Sequence, residues 1–376
     1  MEKTSRLVPF EEAVCDRTRL ATKIQRSTYL PRGAIPVVDQ GQEEIAGYTD
    51  DLEAAYAGAL PVVLFGDHTR ALKLVDVPFA AGADGVKVLE PRTDLDARFL
   101  WYFLRSRALP NDGYSRHFKH LRGLLIPIPE MHEQRRVVEL LARAENIVRM
   151  RREAEQKAKE IIPALFLDMF GDPATNPKGW VTEALGAHID LLTGYPFKSS
   201  EFVESGDTVR LCRGANVLPQ TTDWSDVRHW PTERAKEYAA FALREGDIVL
   251  AMDRPWISTG LKVALVSRLD LPALLVQRVA RIRPKQSVEA SYIYFALSHP
   301  MFAAHCNAVK TETLVPHISP NDIRSFKLPI PRITLQTTFT SIVERSSSLP
   351  RALGQALALA EHAFQSLLAG VFGDGG

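Results

Sequence analysis

The sequence predicts an α+β chain in which a mixed unit followed by a helical segment is built twice. Short words recur at one constant separation. Ile126-Pro127-Ile128-Pro129 returns as Leu328-Pro329-Ile330-Pro331, Gln134 as Gln336, and Phe170-Gly171-Asp172 as Phe372-Gly373-Asp374, each 202 positions on. A register that holds from Ile126 to Asp172 without an insertion marks duplication of a whole unit. Two further observations set the class: a heptad pattern after each Pro-x-Pro word, and short β-rich runs before it.

Taken in order, residues 1–130 form the first variable domain. Ile35-Pro-Val-Val, Leu60-Pro-Val-Val-Leu-Phe and Gly85-Val-Lys-Val-Leu are β-rich runs with turn punctuation, and Arg98–Arg107 reads as one short helix. Residues 131–172 form a helical segment. Steps of four and three from Val137 give Leu141, Ala144, Val148, Arg151, Glu155, Ala158, Ile162, Leu165 and Met169, mostly apolar, which is the spacing of a coiled-coil seam.

Residues 173–331 repeat the mixed pattern with Thr208–Cys212, Asp247–Met252 and Leu261–Val266 as strands and Ala290–His299 as the helix. Tyr292-Ile293-Tyr294-Phe295 parallels Phe99–Phe103 at a different offset, so length changes fall between that helix and the Pro-x-Pro word. Residues 332–376 close the second copy, with the seam shifted by 202 falling on Phe339, Val343, Ser346, Pro350, Leu353, Leu357, Ala360, Phe364, Leu367 and Val371. A fully helical segment of this length spans about 60 Å at 1.5 Å per residue, the proportions of a spacer. Pro163 and Pro350 each remove a backbone donor, so a kink or restart is expected at both, with Ser346-Ser347-Ser348 as the break before the second.

Composition excludes several classes. The chain has 376 residues, 45% hydrophobic, 24% charged and 8% aromatic, which is ordinary globular usage and not that of disordered, collagenous or disulfide-scaffold chains. Cys15, Cys212 and Cys306 are odd in number and widely spaced, so neither a disulfide framework nor a thiolate zinc site is expected. The acidic N-terminus is unlike a secretory signal, and no window reaches the roughly 18 apolar residues of a membrane span. A cytoplasmic protein is expected. Forty-six Lys and Arg against forty-five Asp and Glu leave a formal charge of +1. Any contact with nucleic acid must therefore come from local arrangement.

Catalytic signatures are missing. Asn176-Pro177-Lys178-Gly179 begins like an amino-methyltransferase site and fails at its last two positions, and no G-x-x-x-x-G-K-[S/T] loop is present. Glu155-Gln156-Lys157 has nuclease spacing but lies in the helical segment. His117 with His120, and His299 with His305-Cys306, lack further ligands and read as structural or DNA-facing. No catalytic residue, metal or cofactor is expected.

What remains is chemistry suited to DNA. Arg pairs with guanine and Asn or Gln with adenine, while Lys, Ser and Thr position phosphates. The first domain offers Gln40, His68-Thr69-Arg70, and Arg116 and Lys119 within Tyr114–His120; the second offers Arg210, Arg213, Asn216, Arg254, Trp256 and Lys262.

At this point the order of words resembles the specificity subunits of type I restriction-modification systems. The residues that carry the resemblance are Ile126–Pro129 followed by Glu133-Gln134-Arg135-Arg136, then Ala164-Leu165-Phe166 and Met169–Pro173, Asn176–Trp180, and Gly246–Met252 with Arg254-Pro255. The resemblance covers essentially the whole chain. It implies two target-recognition domains alternating with two long helical segments packed as an antiparallel coiled coil, with pseudo-two-fold repetition. Each domain would read half of a bipartite double-stranded DNA site and the helices would set the spacing. Two modification (methyltransferase) subunits and the restriction (translocase and endonuclease) subunits would supply methylation and cleavage, docking through Gln134, Arg135, Phe166, Phe170, Gln336 and Phe372. The second helical segment departs from the pattern, with Arg332-Ile-Thr-Leu-Gln336 where the first has Glu130-Met-His-Glu-Gln134. The other reading is a two-headed adaptor for protein or RNA; neighbouring genes for a methyltransferase and a helicase would separate the two.

Overall fold

The computed structural model describes residues 6–82, 85–113, 115–308, 317–346 and 348–373. Tyr114, Ser347 and Asp374 lie outside them. The chain mixes strands and helices throughout and divides into two compact units, Met1–Ala154 with Leu353–Gly376, and Glu155–Ala352. The helices that frame them are α1 (Ala97–Ser106), α2 (Met131–Phe170), α3 (Ala290–Ser298), α4 (Ile333–Ser346) and α5 (Ser348–Phe372).

In the first unit an antiparallel sheet has the order Val14–Asp16, Val86–Pro91, Val62–Gly66, Leu72–Val75. Val62–Gly66 is one of the two interior strands and is buried at every position, which is why it reads as a continuous apolar run and not an alternating one. A second sheet of four short strands contains Ile35–Val38. Leu125–Ile128, which holds the first Pro-x-Pro, pairs with Arg6–Pro9. Pro is tolerated there because this ladder has only two strands, each with a free edge. Asp96 caps α1 by accepting from the backbone N–H groups of Arg98 and Phe99.

The second unit has the same plan. Ile189–Thr193, Val279–Pro284, Ile248–Ala251 and Val263–Leu265 form an antiparallel sheet in that order, with Ile248–Ala251 fully buried. Lys327–Ile330, which holds the second Pro-x-Pro, pairs with Val181–Ala184. A buried carboxylate pins the loops of this unit. Asp270 is 6% exposed and accepts from Ser267 (N–H and hydroxyl, both 2.7 Å), Trp224 (2.9 Å) and the Thr222 hydroxyl. Burial alone would raise its pKa, but these hydrogen bonds outweigh it and hold the carboxyl below its usual 3.8. The resulting stability is complete above that value and is lost as the pH falls through the folded pKa. Asp270→Asn should therefore cost about 1–3 kcal/mol at pH 7 in urea denaturation, with the deficit narrowing below pH ~4; an equal deficit at pH 3 would show that packing, not the carboxylate, is responsible.

The repeated words account for how each helix joins its sheet. Gln134 is fully buried: its Oε1 accepts from the Asp96 N–H and its Nε2 donates to the Asp94 and Pro129 carbonyls, all at 2.8 Å. Gln336, also fully buried, does the same in the second unit. It accepts from the Glu289 N–H at 2.9 Å, one residue before α3, and donates to the Pro331 carbonyl at 2.8 Å. Each glutamine thus stitches a helix start to the end of a Pro-x-Pro strand. Phe372 meets Phe99 and Phe103 of α1 edge-on, at 5.2 and 5.7 Å. Phe170 meets Tyr292 of α3 edge-on at 4.9 Å. Gly171 follows in a left-handed conformation (φ +82°) and ends α2, with its N–H on the Leu167 carbonyl.

In the first unit Leu141 and Val148 of α2 share a core with Phe364, Leu368 and Phe372 of α5, and Arg152 pairs with Glu361 at 2.6 Å. In the second unit Phe166 and Phe170 meet Phe339 of α4 edge-on, at 5.8 and 5.3 Å. Two expectations change here. α2 runs unbroken through Pro163, because Ala158, Phe166 and Phe170 are buried on either side and hold the turn in place. Beyond Ala158 the buried face falls on Phe166 and Phe170, with Leu165 and Met169 only partly covered. A strict 3.5-residue step drifts by about 20° per heptad against a 3.6-residue helix, which amounts to one residue over this length. The second segment does restart, as two helices with Pro350 in the first turn of α5, where its missing N–H is harmless.

Candidate nucleic-acid interface

In each unit the buried central strand runs straight into a loop that carries the candidate readers. In the first unit, Val62–Gly66 leads to Asp67, His68, Thr69 and Arg70. Asp67 is 5% exposed and organises the loop: its carbonyl accepts from the His117 N–H at 2.8 Å and faces His117 Nδ1 at 3.0 Å, while its carboxylate accepts from the Phe118 N–H at 2.8 Å. His117 is fully buried, and its Nε2 accepts from the Asp112 N–H, which leaves Nδ1 as the protonated nitrogen. It is a brace and not a surface contact. Gln40 also faces inward, its Oε1 accepting from the His68 N–H and its carbonyl from the Thr69 hydroxyl. His68 contacts the Ser115 carbonyl at 3.2 Å.

Arg70 holds a left-handed conformation (φ +62°) and donates to the Leu109 carbonyl at 3.2 Å. Arg116 is exposed and makes no ion pair among the described residues. Lys119 is exposed but pairs with Asp112 at 2.9 Å, and His120 reaches the same carboxylate at 2.8 Å. These bonds, with that of Lys119 the larger influence, hold Asp112 down at about 2.

The second unit repeats the scheme with a more open loop. Ile248–Ala251 leads to Met252, Asp253, Arg254 and Pro255, and then to a hairpin of Trp256–Ile257 with Gly260–Leu261. His317 meets Asp253 as His117 meets Asp67, here through its Nδ1 on the carboxylate at 2.6 Å, with the Ile318 N–H on the Met252 carbonyl. Arg278 donates to the same carboxylate at 3.3 Å. These residues line a cleft of 670 Å³ together with Gly214, Ala215, Arg254 and Lys262.

Arg254 is exposed, forms no side-chain hydrogen bond among the described residues, and sits at φ +45° directly before a proline. A left-handed non-glycine residue costs on the order of 1–3 kcal/mol, and such strain collects at functional sites. Trp256 is half-buried and anchors the hairpin against the core. Lys262 is partly buried with its ammonium on the Gly214 carbonyl, and burial lowers its pKa.

Arg213 lies beside this cleft and is held on both sides. It pairs with Asp226 at 3.0 Å, and its Nε donates to Asn216 Oδ1; the Arg213 hydrogen bond holds the Asp226 carboxyl below the usual range. Arg210 donates to the Leu269 carbonyl at 2.6 Å and lies over the Trp224 ring.

Several expected surface residues lie in the interior. Asn216 is 1% exposed and spends its whole amide inside: Oδ1 accepts from Arg213, and Nδ2 donates to the Asp223 and Asp226 carbonyls. It belongs to the frame that holds Arg213 and has nothing left to offer a base. Of the expected docking residues, Gln134, Phe166, Phe170, Gln336 and Phe372 are all less than 5% exposed and serve their own unit's core, whereas Arg135 is exposed. The recurring pairs among them, Gln134 with Gln336 and Phe170 with Phe372, are the stitches between helix and sheet. Asp67, Lys73, Asp253 and Arg278 were missed in the sequence. Their one legible signal is an Asp shortly after each continuous apolar strand, with a histidine later in each half, at His117 and His317.

Among the described residues no group of His, Cys, Asp or Glu is placed to hold a metal ion, and no helix is long and apolar enough to cross a membrane. No protein-family model matches the chain. It is 37% identical over 159 residues to the type I restriction enzyme EcoAI specificity subunit of Escherichia coli, covering 42% of this chain and 26% of that relative. It is 26% identical over 284 residues to the MjaVIII specificity subunit of Methanocaldococcus jannaschii, covering 70% of this chain and 66% of that one. The matches thus span about a quarter and about two thirds of these relatives' lengths. Among solved structures, the type I restriction-modification S subunit from M. genitalium superposes over the whole chain and 98% of its own, with a TM-score of 0.60 at 16% identity, which establishes a shared fold.

Proposed function

We propose that the chain is a specificity subunit of the type I restriction-enzyme kind, and that it reads a bipartite double-stranded DNA site, one half with each unit. Residues 1–130 and 173–331 act as the target-recognition domains. Residues 131–172 and 332–376 act as spacers packed as an antiparallel coiled coil, which gives the chain pseudo-two-fold repetition. The observation that carries this reading is the recurrence, at the end of each buried central strand, of an Asp–His-braced loop that presents arginine. A rigid frame presenting planar donors is what direct readout of base edges requires.

The chain itself performs no chemistry in this scheme. Two modification subunits and restriction subunits supply methylation and cleavage in the cytoplasm, and they also contribute to neutralising phosphates, since residues 1–130 carry 17 basic and 18 acidic side chains. Docking falls on exposed positions of α2. Arg135 is supported by its exposure, and Leu140, Ile147 and Met150 by standing 47%, 52% and 57% exposed along the same helix.

The test is the methylome of the host with and without the gene: one bipartite methylated motif should disappear with it, and an unchanged methylome rejects the reading. Spacing is tested by inserting seven residues after Arg143. The insertion lengthens the helix by about 10 Å, and the methylated motif should gain spacer bases or the complex should become inactive. A motif with unchanged spacing under full activity removes the spacer role.

A further inference from the structure

We propose that Lys262 is the phosphate seat of the second unit, taking one DNA backbone phosphate into the cleft it lines with Arg254 and Arg278, whereas Lys73 of the first unit is purely structural. The inference rests on the DNA-reading function above and divides labour within it. Lys262 is partly buried, and the one acceptor its ammonium has among the described residues is the Gly214 carbonyl. No carboxylate among them lies within ion-pair distance. An ammonium can donate three hydrogen bonds, so two remain for a ligand.

The surroundings add positive charge. Arg254 is unpaired among the described residues, and the one carboxylate lining the cleft, Asp253, is already shared between Arg278 and His317. A partly desolvated cation without a counter-ion is unfavourable, and an anion entering the cleft restores the balance. Burial is the one influence found on the Lys262 pKa, and it lowers it, consistent with a missing counter-charge.

Lys73 is the internal contrast. It is more deeply buried, at 4% side-chain exposure, yet its ammonium donates to the Asp39 and Glu43 carbonyls and lies 3.7 Å from the Asp39 carboxylate. Burial lowers its pKa too, but here Asp39, Glu44 and Glu43 pull the other way. Its donors and its charge are already met, leaving nothing for a phosphate. The two lysines look alike in sequence, each on or beside a short strand that follows the central one, and only their surroundings distinguish them.

The experiment is the salt dependence of duplex binding by the full chain. One duplex carries the motif found by methylome comparison; the other is a scrambled duplex of equal length. Each phosphate neutralised contributes about 0.9 to the slope of log K against log salt. Lys262→Gln should flatten that slope by about 0.9 on both duplexes, Lys262→Arg should restore it, and Lys73→Arg should leave it at the wild-type value. An unchanged slope in Lys262→Gln overturns the proposal, as does a change confined to the motif duplex, which would make Lys262 a base contact. If the wild type does not discriminate between the duplexes, the recognition reading fails while the slope still judges Lys262.

Should Lys262→Gln not fold, acetylation of surface amines on the wild type with and without duplex decides the matter. Lys262 should be protected by DNA, and equal labelling overturns the assignment.

Discussion

Gln134→Glu and Gln336→Glu should each lower the stability of the chain by roughly 3 kcal/mol or more, although the change replaces one terminal amide group by oxygen. Each glutamine is fully buried and donates to backbone carbonyls, two in the case of Gln134 and one for Gln336. A carboxylate cannot donate, so those carbonyls lose their partners and face a buried negative charge, with penalties of about 1–3 kcal/mol for each unsatisfied group and more where charge is involved. Urea denaturation followed by circular dichroism reads the loss. The same variants separate two explanations for why these residues recur. As inter-subunit contacts they would leave the isolated chain unchanged and weaken assembly; as stitches they destabilise the chain before any partner is added.

Arg254→Ala should abolish discrimination at a single base position in one half-site, by about 1–3 kcal/mol, or roughly 5- to 150-fold, with stability within about 0.5 kcal/mol of wild type. The side chain makes no hydrogen bond among the described residues, so the fold loses little. Competition binding with single-base substituted duplexes reads the effect, and equal loss at both halves would point to a folding defect instead. Arg213→Ala should also act on that half alone, but by a different route. Arg213 is tied to Asp226 and Asn216, so its removal frees the 213–226 loop as well as deleting a donor, and stability should fall with recognition. A variant that loses specificity at full stability would instead make Arg213 a direct reader.

Much of the architecture was legible because it is written in local pattern. The strands at Ile35–Val38 and Thr208–Cys212 and helices α1 and α3 fall where apolar runs and turn residues place them. Short strands such as Lys23–Ile24 and Gly47–Thr49 were not legible. Two or three residues carry no periodicity, and they are strands only because a neighbour supplies the ladder. Pro163 misled for the opposite reason, since a local rule against proline inside a helix yielded to the packing of Phe166 and Phe170.

The sequence by itself determined the words repeated 202 positions apart, the heptad spacing and the family resemblance, because all three are relations of order and spacing that survive without coordinates. Tertiary structure alone decided which polar residues are spent inside. Gln134, Gln336 and Asn216 are chemically indistinguishable from surface readers in a string of letters, yet each is enclosed with its hydrogen bonds already made. The same holds for Lys73 and Lys262, one surrounded by acceptors and the other short of them. The physical reason is that availability for a ligand is what remains after burial and hydrogen bonding have been satisfied, and that remainder depends on distant segments brought together by the fold.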